Sequence, residues 1–185
     1  MLFHELIFET TDTLNASLYA RFMELYASGR TRQTHHVEGR FENNYIEAAA
    51  IPDIVTVLDV VKQHAGQLLD RPADSLRAGF WFNVMQAGHR TSLHHHDEND
   101  ELLSAVYYIR VPEHSGNLIL HDKDRKVSVQ AQQGKLVMFA PGVMHEVTAH
   151  LGTGVRLSVA MNIGPADDQT YAPGAAISPT TCGPG

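Results

Sequence analysis

The chain has 185 residues, 43 % of them hydrophobic and 19 % charged, with a formal net charge of −7; these values describe one globular domain able to bury a core, not a disordered chain. The acidic balance and the lack of any Lys/Arg-rich run argue against nucleic acid as a partner, and no run approaches the roughly 18 apolar residues of a membrane span. The first residues, MLFHELIFETTD, lack the basic start and long apolar core of a signal peptide, and a single cysteine, Cys182, permits no internal disulfide, so a cytoplasmic protein is expected.

In chain order, Leu14, Leu18, Phe22 and Leu25 fall at helical spacing from Thr13 onward, with Thr11 or Thr13 as the cap and Gly29 as the stop. Residues 30–50 are polar and mixed and read as a loop carrying at most a short strand. A second helix is expected with Pro52 at its first position, running through Ile54, Val55, Leu58, Val61 and Leu68 and closing at Arg71-Pro72. After Leu76 the texture changes to short β-branched or aromatic runs (AGFWFNVM, LSAVYYI, NLIL, KVSVQA, KLVMF, VRLSVAMNI), separated by Gly, Pro, Asn and Asp. With no helix between them, these fit an antiparallel sandwich or barrel. The expected organisation is an N-terminal helical segment over 1–76 packing on the barrel, a β core over 77–164, and a flexible Gly/Pro-rich tail over 165–185, together one domain.

Of the 12 histidines, three are adjacent and internal: His94, His95 and His96. A strand points alternate side chains to one face, so two residues separated by one can reach the same metal ion. His145, after the turn-like APGVM, can supply a third ligand from a later strand. A facial set of three leaves coordination sites open, the arrangement that non-haem iron chemistry needs. Three frames are open on the residues alone: His94 with His96, His95 with Asp97, and His96 with Glu98. Further on, Arg156 and Ser158 share one strand face with Ala160, while Leu157, Val159 and Met161 share the other. A long cation facing a barrel interior is costly unless an anion meets it.

This order resembles the 2-oxoglutarate- and iron(II)-dependent oxygenases, and most closely a bacterial and phage branch of them. The resemblance rests on Trp81-Phe82-Asn83 ahead of the histidines and Ser104-Ala105-Val106-Tyr107-Tyr108 after them. It continues in Gly134 to Phe139 before the distal histidine, then Arg156-Leu157-Ser158 and Asn162. It covers roughly residues 78–163. It implies a double-stranded β-helix (a jelly roll, cupin-like), mainly β with N-terminal helices. It also implies an oxidoreductase, a metal-binding dioxygenase with iron as its metal, O2 and 2-oxoglutarate as co-substrates, and hydroxylation of a C–H bond in a small molecule or an amino-acid or peptide side chain. In this branch a glycine often stands six positions before the first ligand, so Gly88 selects His94 and then His96, with His145 as the third; the alternative register is His95, Asp97 and His145. Three imidazoles would leave iron(II) its full +2 charge for the dianionic co-substrate to balance, and each would need an acceptor to fix its tautomer. Asp97, Glu98, Asp100 and Glu101 are near enough in sequence to serve. Arg156 and Ser158 would hold the distal carboxylate of 2-oxoglutarate, a guanidinium doing so with two parallel hydrogen bonds. Trp81, Asn83, Tyr107 and Tyr108 are candidate pocket residues, with strand alternation allowing only one of the two tyrosines to face inward and Tyr107 taken as that one, although ordinary core packing explains such aromatics equally well.

The same residues also resemble cupins, through Gly88, His94, His96 and Glu101, then Gly134, Gly142 and His145. Ala140 stands where a cupin proline is expected and Ala149 where an asparagine is. The rival readings are therefore a cupin-type metal dioxygenase or isomerase independent of 2-oxoglutarate, and a non-catalytic metal-binding domain; Arg156 favours the oxygenase. Neither the substrate nor whether the chain forms a homodimer is fixed by the sequence.

Overall fold

The computed structural model describes residues 3–166, apart from Thr10, Glu98 and Asp124. The described elements are β1 (Phe3–Ile7), α1 (Asp12–Ala27), β2 (Arg32–Val37), β3 (Arg40–Tyr45), α2 (Ile54–Leu69), β4 (Leu76–Met85), β5 (Thr91–His94), β6 (Leu103–Arg110), β7 (Leu118–Asp122), β8 (Arg125–Val129), β9 (Lys135–Phe139), β10 (His145–Val147) and β11 (Arg156–Pro165). A seven-stranded sheet in the order β1-β9-β6-β11-β4-β3-β2 faces a four-stranded sheet in the order β5-β10-β7-β8. The strands pair antiparallel throughout, giving the double-stranded β-helix expected.

The large sheet is buried on both faces, and the two faces differ in chemistry. Toward the helices, Phe82, Ile109, Leu157, Val159 and Met161 pack against Leu18, Phe22, Leu25, Ile54, Val57 and Val61. Each such side chain contributes about 1.5–3 kcal/mol by leaving water. Between the sheets, Tyr108, Val137 and Phe139 meet Leu118, Leu120 and Val129. Beside that inner core the same sheet face carries the polar side chains of Asn83 on β4 and of Arg156 and Ser158 on β11.

The N-terminal third departs from the helical expectation. Three of the seven strands of the large sheet come from it. β1 pairs with β9, Phe3 opposite Phe139. Residues 32–45, expected as a loop, form the hairpin β2–β3, turning at Glu38 (φ 48°) and Gly39 (φ 83°); two successive left-handed residues are what a tight two-residue hairpin requires. An apolar alternation does not announce this hairpin because its buried face is polar. Arg40 pairs with Glu42 at 2.9 Å and donates to the Arg90 carbonyl and to Thr91 Oγ1, while Asn44 donates to the Phe82 carbonyl. Buried polar groups of this kind are tolerated because they are hydrogen-bonded.

The second helix begins at Ile54, two residues after Pro52, and ends before Asp70, which takes the left-handed conformation (φ 53°). Regular β pairing extends one residue past 164, to Pro165 opposite Leu76. The rest of the expected tail, with Cys182, lies outside the described residues. None of the described helices is long and apolar enough to cross a membrane.

Candidate metal centre and its pocket

β5 and β10 place His94 directly opposite His145 in register. His96 follows on the same face as His94, its backbone N–H donating to the Pro141 carbonyl at 3.0 Å. The three rings lie close: centroids are 4.2 Å apart for His94–His145, 4.8 Å for His94–His96 and 5.1 Å for His96–His145. One ring nitrogen from each lies within 4.8 Å of the others. His95 and Asp97 are exposed, and the Asp97 N–H donates to His95 Nδ1 at 3.2 Å, so neither joins the group. Glu98 lies outside the described residues.

Two of the three tautomers are fixed, though not by the acidic residues expected to do so. His94 Nδ1 lies 2.8 Å from the Ser92 carbonyl and His145 Nδ1 lies 2.9 Å from the Val143 carbonyl. A carbonyl can only accept, so each Nδ1 carries the proton and each Nε2 keeps a free lone pair. The acceptor in both cases is the backbone two residues upstream. The acids are engaged elsewhere: Asp100 pairs with Arg77, and Glu101 accepts from the Asn99 N–H.

Burial, then the charge of His145 and of His94, brings His96 down to about 3; burial, then His94, brings His145 to about 4. Both are therefore neutral near pH 7, the protonation state a metal requires of imidazole.

Next to the histidines runs the inner face of β4, β11 and β6. Asn83, Ser158 and Tyr108 form one row across the three strands, and Met85 faces Arg156 in the next. Trp81 sits edge-on to His96, ring centroids 5.4 Å apart. Arg156 is 1 % exposed. Its Nη1 lies 3.0 Å from Met85 Sδ and 3.4 Å from Ser158 Oγ, and its Cζ stands 5.1 Å above the Tyr108 ring. Burial lowers its pKa, with the Tyr108 phenol opposing that shift. Among the described residues no carboxylate pairs with Arg156. Arg156 Nε, Tyr108 Oη and Asn83 Oδ1 are buried without any hydrogen-bond partner.

Tyr107, expected in the pocket, is on the opposite face. Its hydroxyl donates to Asn15 Oδ1 of α1 at 2.8 Å and its ring packs on Phe8. The inward tyrosine is Tyr108, the other candidate of the pair. Two adjacent tyrosines on a strand must face opposite ways, so the sequence demands one inward ring without naming it. Missed is the hairpin wall: Tyr45 lies 6.3 Å from Trp81, and Arg32 stacks on Tyr45 at 4.0 Å.

Residues 79–131 match the family model described as "Putative 2OG-Fe(II) oxygenase". A search of curated proteins returned no match. Among solved structures, a Pseudomonas putida prolyl-4-hydroxylase is similar with a TM-score of 0.69 and 19 % identity, over 88 % of this chain and 92 % of that one. The non-haem alpha-ketoglutarate-dependent epimerase SnoN from nogalamycin biosynthesis gives 0.71 and 14 %, over 96 % and 91 %. A Trichoplax adhaerens prolyl hydroxylase, solved with a hypoxia inducible factor peptide fragment, gives 0.67 and 14 %, over 89 % and 84 %. At these identities the structures establish the shared fold, and the family model matches the segment that carries Trp81, His94 and His96, so that segment is similar to the putative 2OG-Fe(II) oxygenases.

Proposed function

We propose that this chain is an iron(II)- and 2-oxoglutarate-dependent dioxygenase that hydroxylates a C–H bond of a small molecule or of an amino-acid or peptide side chain. His94, His96 and His145 are assigned as the iron ligands, and Arg156, with Ser158 and Tyr108, as the receptor for the distal carboxylate of 2-oxoglutarate. The observation that carries this reading is Arg156: a fully buried guanidinium without a carboxylate partner, beside two further orphaned polar atoms, on the face that adjoins the histidines. An unpaired buried charge costs several kcal/mol, and a buried hydroxyl left unmet about 1–3 kcal/mol. A carboxylate entering here accepts from Arg156, Ser158 and Tyr108 together and removes those costs. The cupin reading leaves the same atoms without a purpose.

The histidines suit a divalent metal because two of them present Nε2 lone pairs with their Nδ1 protons anchored on backbone carbonyls. Iron with bound 2-oxoglutarate and O2 supplies the oxidative decarboxylation, to succinate and carbon dioxide, that accompanies hydroxylation. The protein positions and shields. Three neutral imidazoles add no charge, so the dianionic co-substrate alone offsets the metal. Trp81 and Phe139 flank His96 and His145 and exclude water from that side. The similar structures include prolyl hydroxylases and an epimerase, so the fold leaves the substrate open.

The test is anaerobic calorimetry of 2-oxoglutarate binding to manganese-loaded protein. Arg156→Lys keeps the charge but not the two-pronged geometry, so affinity falls by about 1.5–3 kcal/mol, the scale of a charged hydrogen bond. Metal affinity is unchanged. Equal 2-oxoglutarate affinity in the two proteins, or no binding by the wild type, overturns the assignment in favour of the cupin reading.

A further inference from the structure

The hairpin β2–β3 is the wall of the site that neither metal nor 2-oxoglutarate binding uses. Its inward face carries a continuous series of rings and a cation. Arg32 lies over Tyr45 at 4.0 Å, Tyr45 neighbours Trp81 at 6.3 Å, and Trp81 meets His96 at 5.4 Å. Arg32 is exposed and pairs with no carboxylate among the described residues. Stacking occupies only the flat face of a guanidinium, leaving its N–H edge for a planar anion while fixing its position in advance. In a chain of net charge −7, a pre-placed cation leading to the reaction centre marks a local preference that the whole surface does not share.

A second donor stands beside it. His35 adopts a left-handed backbone (φ 57°), rare for a residue with a side chain. Its Nδ1 lies 2.8 Å from Thr34 Oγ1 and 3.1 Å from Asn43 Nδ2. An amide nitrogen only donates, so Nδ1 accepts and the ring proton sits on Nε2, directed away from that pair. Asn43 Nδ2 also donates to Tyr45 Oη at 3.3 Å, joining the histidine to the ring on which Arg32 rests. These hydrogen bonds hold the His35 ring on the network that reaches Tyr45.

We infer that the substrate of the proposed oxygenase carries a carboxylate, received by Arg32 and His35 Nε2, on a planar or apolar body lying along Tyr45 and Trp81 toward the three histidines. This rests on the oxygenase reading and adds the substrate class to it. The carboxylate can belong to a small acid or to an acidic side chain of a peptide; the donors are the same for both.

Trp81 is the sole tryptophan, so its fluorescence reports occupancy without turnover. Manganese-loaded protein saturated with 2-oxoglutarate is titrated with N-acetylphenylalanine, with its amide, and with acetyl-Phe-Asp-Phe-amide. The saturating co-substrate keeps the probes off Arg156. An acid binds at least about tenfold more tightly than the neutral amide, the scale of one charge-assisted interaction, and loses affinity with added salt. Preference for the free acid identifies a small carboxylic acid, and preference for the aspartyl peptide identifies an acidic peptide. Arg32→Gln brings the acid down to the affinity of the amide, and Tyr45→Leu weakens both. If neither acidic probe outbinds the amide, including the case where none binds, or if Arg32→Gln leaves the difference intact, the inference fails. Failure of 2-oxoglutarate itself to bind in the calorimetric experiment would instead overturn the underlying oxygenase reading.

Discussion

The two faces of the large sheet set stability and chemistry side by side. Along β11, Leu157, Val159 and Met161 are fully covered by helical and sheet neighbours. The alternate residues Arg156 and Ser158 are just as buried, yet their row holds orphaned atoms at Arg156 Nε, Tyr108 Oη and Asn83 Oδ1. The helix side is almost wholly apolar, with Asn15 Nδ2 as a buried atom left unmet there. The inner side leaves polar atoms unmet, which the proposed reading assigns to a bound carboxylate. The same contrast recurs in the tyrosine pair: Tyr107 has its hydrogen bond from α1, and Tyr108 has none.

The largest effect that separates the faces concerns the metal. His145→Ala and His96→Ala each abolish stoichiometric iron binding, measured by metal analysis of the folded protein, while Asp97→Ala keeps nearly all of it, since Asp97 is exposed and outside the histidine group. The reverse pattern, with Asp97 essential and His96 dispensable, would restore the register His95, Asp97 and His145.

A smaller effect distinguishes the two tyrosines. Tyr108→Phe removes a donor from the carboxylate receptor and weakens 2-oxoglutarate binding by about 1 kcal/mol, roughly fivefold, without loss of thermal stability, because the hydroxyl has no partner to lose. Tyr107→Phe does the opposite: it leaves 2-oxoglutarate affinity unchanged and lowers stability by about 1 kcal/mol through Asn15. Denaturant unfolding and calorimetry on both variants decide the matter, and matching profiles would erase the distinction.

The smallest effect is in pH. His96 and His145 titrate near 3 and 4 in the folded, metal-free protein, below the value of about 6.5 for an unfolded histidine. As pH falls below 6.5 the unfolded chain takes up protons that the folded chain refuses, so stability is full above that value and declines toward pH 4. Between pH 7 and pH 6 the loss is below about 1 kcal/mol for each histidine. Urea unfolding of metal-free wild type, compared with His96→Ala, checks this: the variant shows the shallower decline.

Much of this was legible in the residues. Period-two patterning after Leu76 sets the β class, and it puts His94 with His96 and Arg156 with Ser158 on common faces wherever the strands end up. Alternation fixes which residues face together. It does not fix which way they face, and that is why both tyrosines were candidates and Tyr107 was preferred where Tyr108 stands: the choice is made when α1 covers one side of β6 and meets the Tyr107 hydroxyl with Asn15. The hairpin β2–β3 was hidden because Arg40, Glu42 and Asn44 are polar, and only the fold reveals that their partners, in Glu42, Thr91 and the backbone of Phe82 and Arg90, allow them to be buried. The tautomers of His94 and His145 were likewise invisible, since their acceptors are backbone carbonyls, which every residue owns and no residue type signals. The sequence by itself thus determined the candidate histidines, their spacing and the shared faces, because these are properties of a single strand. The tertiary structure decided which face looks into the barrel, what anchors the His94 and His145 rings and which cation stacks on Tyr45, because these depend on how the chain packs.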